Sequence, residues 1–386
     1  MTKDQAERRI SRRELLAMAL LAVGLRVALY LIATSLTDTG FREYANAADG
    51  YQFIAYAQAW LGDASELAAH PNFRRLFPGT PALIALLVSL GVPVPAAVIF
   101  PSWLASGAVA PLSAIAFRDR RIGWAAATLI PSFVFHGSLV STEALCLFFS
   151  VLGVVQAGRG HGAAGGLAAG LSFGLGGLCR PVAVFAMLGA VAQKMTTGHW
   201  RQAAMVTAAA GLTVAAGLAA MQWRFGDALM NVRRYQGLFE GGIFTVPFQS
   251  LITTPLTSPV PAWKLAFVGV HVLAVLGGSA LVGRELLAAR DTDRGFAWLA
   301  AVWLGSNTLY VLCIGDIWGF HDFPRFLIPA LPPLFWAWRR ILPTRPWVWL
   351  AVGALSLALA LPPTKRRLLD PVVHGRPVGA APAGSE

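Results

Sequence analysis

Two acidic residues occupy positions where a carboxylate can either cap a helix or take part in chemistry. Asp49 precedes Gly50 in a hydrophilic stretch, and Glu143 follows a Ser-Thr pair directly before an apolar run. A carboxylate at a helix start accepts backbone N–H bonds and is stabilised by the helix dipole. The same group can act as a general base towards a hydroxyl. The sequence leaves both interpretations open for Asp49 and Glu143.

Three arginines beside apolar sequence are candidates for binding a phosphate group. Arg74 and Arg75 are adjacent, and Arg180 separates two apolar runs. Guanidinium groups at such positions either anchor a helix end at the membrane surface or form paired hydrogen bonds with the phosphate of a substrate. His70 precedes this arginine pair and is either a solvated loop histidine or an accessory acid or base.

A further polar stretch places four ionisable residues within ten positions: Asp316, His321, Asp322 and Arg325. It is either a solvated loop with one ion pair or part of a site, with His321 and Asp322 as accessory groups and Arg325 as a phosphate ligand. The spacing of His321 and Asp322 is not by itself that of a metal site. No cofactor is certain from these residues, although a divalent metal ion, Mg²⁺ or Mn²⁺, remains possible.

The composition requires a helical bundle in a membrane to position these groups. Only 13% of the 386 residues are charged and 56% are hydrophobic, whereas about 25% are charged in a typical soluble protein. The net charge of +12 arises from short basic clusters between long apolar runs, which is the pattern of cytoplasmic loops in membrane proteins. The basic composition therefore indicates membrane topology rather than nucleic-acid binding.

Apolar runs long enough to cross a bilayer predict an all-α polytopic protein. A span needs about 20 helical residues, and about eleven runs approach that length. They are 15–37, 96–117, 122–141, 143–158, 163–179, 181–193, 203–222, 265–283, 296–314, 326–341 and 346–363. The run 77–90 is shorter and is predicted to be an interfacial or re-entrant helix.

The distribution of basic residues predicts the orientation of the spans. If 77–90 does not cross, most short basic clusters fall on the side of the N-terminus, which the positive-inside rule places in the cytoplasm. The predicted organisation is then a cytoplasmic N-terminus (1–14), one transmembrane domain (15–363) and a polar tail (364–386). Outer loops are expected at 38–95, 223–264 and 315–325. We expect a multi-pass protein, in a bacterial plasma membrane.

The first outer loop is predicted to contain a helix that lies flat at the membrane surface. Phe53, Ile54, Ala57, Trp60 and Leu61 recur with helical spacing and would form one apolar face.

The first predicted span contains an arginine, Arg26, about 16 Å from either end at 1.5 Å per residue. A charge at that depth is expected to face the bundle interior and to have a partner.

The order of several short motifs resembles the GT-C superfamily of polytopic glycosyltransferases, and within it the branch of the second GPI mannosyltransferase, with a looser likeness to family 39 protein mannosyltransferases. The motifs are Asp49-Gly50 followed by Phe53-Ile54-Ala55, Phe77-Pro78-Gly79-Thr80-Pro81, Thr142-Glu143-Ala144-Leu145, the stretch from Gly170 to Arg180-Pro181, and the stretch from Pro324-Arg325 to Pro332. Two positions depart from the branch pattern: Ala48 replaces a Trp, and Cys179 replaces a Thr.

This resemblance implies a membrane-embedded, inverting glycosyltransferase of the mannosyltransferase type. The donor would be a polyprenyl-phosphate-linked sugar, and the acceptor would be a glycan, lipid or protein hydroxyl on the outer face of the membrane. Asp49 would be the catalytic base and Glu143 the second acidic residue. Arg325, with Arg74 or Arg75, would bind the lipid phosphate.

A transporter or a flippase of lipid-linked sugars is the alternative function. Such proteins place ionisable groups near the bilayer midplane, on broken helices in repeated halves. In this sequence Arg26 lies deep, whereas the other acids and bases discussed above cluster in the predicted outer loops. A convergence of Asp49, Glu143 and Arg325 in one outward cavity would favour the enzyme.

Overall fold

The computed structural model describes residues 10–159, 162–236, 243–289 and 291–370, and helices make up most of this part of the chain. The first half contains α1 (Arg12–Thr37), α2 (Phe41–Asn46), α3 (Gly50–Leu61), α4 (Ser65–Ala69), a 3₁₀ turn (Pro71–Arg75), α5 (Gly79–Ser89), α6 (Val94–Phe117), α7 (Arg120–Thr128), α8 (Pro131–Ser138), α9 (Thr142–Arg159) and α10 (Ala163–Cys179).

The second half continues with α11 (Ala183–Thr196), α12 (Trp200–Phe225), α13 (Met230–Gln236), α14 (Gln249–Thr257), α15 (Ala262–Ala288), α16 (Asp291–Leu312), α17 (Asp316–His321), α18 (Phe323–Phe326), a second 3₁₀ turn (Ile328–Ala330), α19 (Leu331–Ala337) and α20 (Pro346–Leu368). An isolated antiparallel bridge joins Phe244 to Ile314. The predicted all-α, multi-pass fold class is therefore confirmed.

The described residues contain seven helices that are long and apolar enough to cross a membrane: α1, α6, α9, α12, α15, α16 and α20. Two further predicted spans form the shorter apolar helices α10 and α11, with 17 and 14 residues. The remaining two predicted spans are not continuous helices. The segment 122–141 is divided into α7 and α8, and the segment 326–341 is divided into short pieces at its prolines.

The interruption between α7 and α8 supplies the partner that was expected for Arg26. The Arg26 side chain is fully buried. It donates hydrogen bonds to the carbonyl oxygens of Ala127 at 3.3 Å, Phe133 at 3.3 Å and Ala22 at 2.8 Å. Its guanidinium carbon lies 4.9 Å from the centre of the Phe133 ring. Arg26 therefore joins α1 to the last turn of α7, where the carbonyl of Ala127 has no intrahelical donor, and to the first turn of α8 through Phe133.

The first loop is helical, as predicted, but α3 is covered on more than one face. Phe53 and Ala57 pack in a cluster that includes residues of α5 and α6. Tyr56, on another face, packs against Met221 of α12, and its hydroxyl lies 3.4 Å from the methionine sulfur. Seven of the twelve α3 residues are buried. The helix α3 is thus enclosed by the protein rather than lying on its surface, because residues on two of its faces pack against other helices.

The short helix α5 packs beside the first loop. Ile84 and Ala85 belong to the same apolar cluster as Tyr44 and Ala45 of α2. At its start, Gly79 lies against the backbone at the end of α10, where an added Cβ would come within 2.8 Å of the Cys179 nitrogen. This contact ties the first loop to the junction between α10 and α11, where Arg180 is located.

Candidate active site

The guanidinium group of Arg325 brings together acids from three separate parts of the chain. Its Nε lies 2.5 Å from Oε1 of Glu143, and one of its terminal nitrogens lies 3.6 Å from Oδ2 of Asp49. The other terminal nitrogen lies 4.0 Å from Asp322, three residues earlier in the chain. Asp49, Glu143 and Arg325 are far apart in the sequence and are therefore neighbours only in the folded protein.

Glu143 is the buried member of this cluster, and its carboxylate is fully buried. It accepts hydrogen bonds from both Arg180 and Arg325. The Ser141 hydroxyl donates a further bond of 2.8 Å, and the Thr142 hydroxyl donates one of 3.3 Å. A buried carboxylate is costly unless it is paired and hydrogen-bonded, and these four donors meet that requirement. The predicted second acid facing an open cavity is instead a buried counter-ion for two arginines.

Asp49 occupies the N-cap position of α3, but its side chain does not cap the helix. The carboxylate accepts a hydrogen bond of 3.4 Å from the amide of Gln52 and lies 4.0 Å from Arg75. Its side chain is 29% exposed, whereas that of Glu143 is not exposed at all. The capping interpretation of Asp49 is therefore not supported, and the carboxylate is open to a ligand.

The backbone around Asp49 explains the Asp-Gly pair. Ala48 has φ of +56°, in the left-handed region that costs a residue with a side chain about 1 kcal/mol or more. At Gly50 an added Cβ would lie 1.9 Å from the carbonyl oxygen of Ala45. The chain thus turns sharply from α2 into α3, and the side chain of Asp49 is directed at Arg325 rather than at the α3 N-terminus.

We predict that Gly50→Ala will destabilise the protein by about 1–3 kcal/mol, since the new methyl group must displace backbone rather than a flexible side chain. Gly24→Ala is the matched control, because a Cβ at Gly24 meets nothing within 4 Å. Alanine at an open helical position is neutral or slightly stabilising. Thermal unfolding of both variants in detergent measures the difference, and equal midpoints would contradict the predicted close approach at Gly50.

Arg180, which directly follows α10, lies between Glu143 of α9 and Phe326 of α18. Its guanidinium group donates to Glu143, and its Cζ lies 5.2 Å from the centre of the Phe326 ring. The side chain is 12% exposed, less than half the value for Arg325. Arg180 was predicted to contact a substrate phosphate, and the structure instead places it beside the buried carboxylate.

The other predicted first-loop residues lie around Asp49 but differ in their contacts. Arg75 reaches Asp49 and is 29% exposed. Arg74 has a buried Nε that has no hydrogen-bond partner among the described residues. His70 stacks on Phe73, with ring centres 4.9 Å apart, and its Nε2 lies 3.8 Å from a carboxylate oxygen of Glu66. Of these three, Arg75 therefore contacts the acid cluster directly, and His70 contacts its own helical turn.

His321 lies beside Lys264 of α15, and the two side-chain nitrogens are in hydrogen-bond contact. Partial burial lowers the pKa of His321, the ammonium group of Lys264 lowers it further, and Asp322 opposes both effects. The imidazole is therefore neutral near pH 7. His321 was predicted as an accessory group, and its neighbour Asp322 provides the link to Arg325.

His136 was not identified from the sequence, although it lies next to the cluster. It is half-buried near the end of α8 and interacts electrostatically with Arg325, Glu143 and Arg180. A lone histidine inside an apolar run gave no signal of this proximity. In the described ranges no group of three His, Cys, Asp or Glu side chains could hold a metal ion. The acids that surround Arg325 are already paired with arginines, so they do not form a set of free metal ligands.

No protein-family model matches the chain, and no curated protein matches it. Among solved structures, the chain is similar to the archaeal oligosaccharyltransferase AglB from Archaeoglobus fulgidus, in complex with an inhibitory peptide and a dolichol-phosphate. The TM-score is 0.42 and the sequence identity is 13%. The match covers 91% of this chain and 56% of AglB, so the chain spans little more than half the length of that protein.

Proposed function

We propose that this protein is a membrane-embedded, inverting glycosyltransferase that transfers a sugar from a polyprenyl phosphate to an acceptor hydroxyl. The observation that carries the proposal is the partly exposed, uncapped carboxylate of Asp49, 3.6 Å from an arginine that a buried glutamate holds in place. A base for the acceptor and a cation for the leaving phosphate are thereby adjacent. Mannose is the first sugar to test, because the motifs resemble those of mannosyltransferases.

Asp49 is proposed to act as the general base. Its carboxylate would take the proton of the acceptor hydroxyl as that oxygen forms a bond to the anomeric carbon. The bond between the anomeric carbon and the phosphate oxygen breaks at the same time, and the phosphate leaves with the electron pair. The transition state has oxocarbenium character. A single direct displacement inverts the configuration at the anomeric carbon.

The leaving phosphate is proposed to be stabilised by Arg325 and Arg75. Both side chains are more than one quarter exposed, and both lie beside Asp49. A fixed cation stabilises negative charge that develops on the phosphate without a proton transfer from the enzyme. Arg180 and Glu143 would act through Arg325, because the buried carboxylate holds the Nε of Arg325. We regard these two residues as positioning residues.

The transporter alternative depends on ionisable groups deep in the bundle. Among the residues considered, Arg26 lies near the middle of a predicted span. In the structure its guanidinium group donates to the backbone carbonyls of Ala22, Ala127 and Phe133. These bonds hold α1 against α7 and α8, which gives Arg26 a structural role. The partly exposed carboxylates of Asp49 and Asp322 instead lie beside Arg325, which favours chemistry over transport.

The proposal is tested with purified protein in detergent, given polyprenyl-phosphate mannose and a panel of glycan, lipid and peptide acceptors. We expect a glycosylated product whose anomeric configuration, measured by NMR, is opposite to that of the donor. Detergent removes the two compartments, so a transporter or flippase would give no product. Lipid extracts of a deletion strain, analysed by mass spectrometry, identify the natural donor, which is expected to accumulate.

A further inference from the structure

A cavity of about 860 Å³ lies at the C-terminal end of α20 and is lined by Lys365, Arg366 and Arg367. Its apolar wall is formed by Phe135, Pro362 and Pro363. Asp370 also contributes to the lining, which therefore contains three basic residues and one acidic residue. The volume lies within the range of about 300–1,000 Å³ that is usual for small-molecule sites.

The cavity is at the same end of the bundle as the acid cluster. Leu368, which follows the basic residues, packs in one cluster with Ala47 of the first loop and Val140, which lie near Asp49 and Glu143 in sequence. His136 follows the cavity residue Phe135 and interacts electrostatically with both Arg325 and Arg367. Arg366 interacts in the same way with Lys264 of α15.

The basic residues of this cavity have no evident structural function. All three side chains are exposed, and none forms an ion pair with another residue in the described ranges. Cations are favourable at a helix C-terminus, but that effect does not explain an adjacent cavity with an apolar wall.

We propose that this cavity binds the phosphate headgroup of a membrane lipid. Arg366 and Arg367 would form charge-assisted hydrogen bonds with the phosphate oxygens, and Lys365 would add a third positive charge. The first part of the lipid chain would lie along Phe135, Pro362 and Pro363. The site does not depend on the proposed transfer reaction, because a lipid phosphate would bind whether or not the protein is active.

The test compares wild-type protein with Arg366→Gln/Arg367→Gln in phosphatidylcholine nanodiscs that contain a small fraction of either phosphatidylglycerol or a polyprenyl phosphate. Native mass spectrometry counts the retained lipids. Each basic residue near an anionic lipid contributes about 1 kcal/mol, or about fivefold in affinity. We therefore expect the double variant to retain lipid phosphate about 25-fold more weakly.

The control is Arg120→Gln/Arg345→Gln, which removes two exposed arginines at the starts of α7 and α20. Neither arginine lines the cavity, so this variant is expected to retain more lipid phosphate than Arg366→Gln/Arg367→Gln. The two lipid arms show whether a phospholipid, a polyprenyl phosphate or both occupy the site, and each of these results supports it. Equal retention by both double variants would overturn the proposal. So would complete displacement of bound lipid by millimolar inorganic phosphate, which would indicate a site for free anions.

Discussion

Replacing Asp49 by asparagine will reduce sugar transfer by about 10²- to 10⁴-fold, the usual contribution of a general base. The amide retains the size and the hydrogen-bond acceptor of the carboxylate but cannot take a proton from the acceptor. The loss is expected in kcat more than in KM, since Asp49 acts on the acceptor proton during bond formation. Transfer from labelled polyprenyl-phosphate sugar in membranes is the measurement.

The control for this variant is Asp63→Asn in the same loop. Asp63 is exposed, and its Oδ1 accepts two hydrogen bonds from Ser65. The backbone nitrogen of Ser65 donates one of 3.1 Å, and the Ser65 hydroxyl donates one of 2.5 Å. Its replacement should leave transfer unchanged. The ion pairs that Asp49 forms with Arg325 and Arg75 are partly exposed and are worth about 1 kcal/mol or less. Asp49→Asn should therefore unfold near the wild-type temperature, and transfer near the wild-type rate would refute Asp49 as the base.

The sequence predicted the helical class and the main spans because apolar runs of sufficient length have few other structures available. It did not predict where two of those runs are interrupted. Pro131 marks the first interruption, because proline lacks the helical N–H donor. Prolines also lie inside the continuous helices α6 and α20, however, so this residue type alone does not locate a break. The carbonyl partners of Arg26 have no side-chain signature that could locate it.

The sequence indicated which residues lie together at the candidate site better than it indicated the surroundings of each one. Motif order indicated Asp49, Glu143 and Arg325, and the structure brings them together. Their separate environments could not be predicted, because burial depends on which helices cover each residue. Glu143 pairs with Arg180 from the α10–α11 junction, and Gly79 of the first loop packs against the backbone at the end of α10. Such contacts between distant segments leave no local pattern.

The largest loss of stability is expected for Glu143→Gln, at about 3–5 kcal/mol, because it removes a buried carboxylate that two guanidinium groups share and deprives the mostly buried Arg180 of this counter-ion. Glu143 pairs with both Arg180 and Arg325, and its carboxylate is not exposed. Arg180→Gln should cost less, since Arg325 remains to neutralise Glu143. The order of effects therefore distinguishes a buried counter-ion from a catalytic acid, which could be replaced with little change in folding.

Thermal unfolding of the two variants in detergent, with transfer measured in parallel, tests this order. If Glu143 holds Arg325 in place, Glu143→Gln lowers both the unfolding temperature and transfer, and the double variant Glu143→Gln/Arg180→Gln unfolds at a higher temperature than Glu143→Gln alone. This partial recovery follows because the double variant also removes the guanidinium charge of Arg180, which faces the Glu143 carboxylate in the native protein. A Glu143→Gln protein with wild-type unfolding but no transfer would instead identify Glu143 as a catalytic acid that acts directly on the substrate.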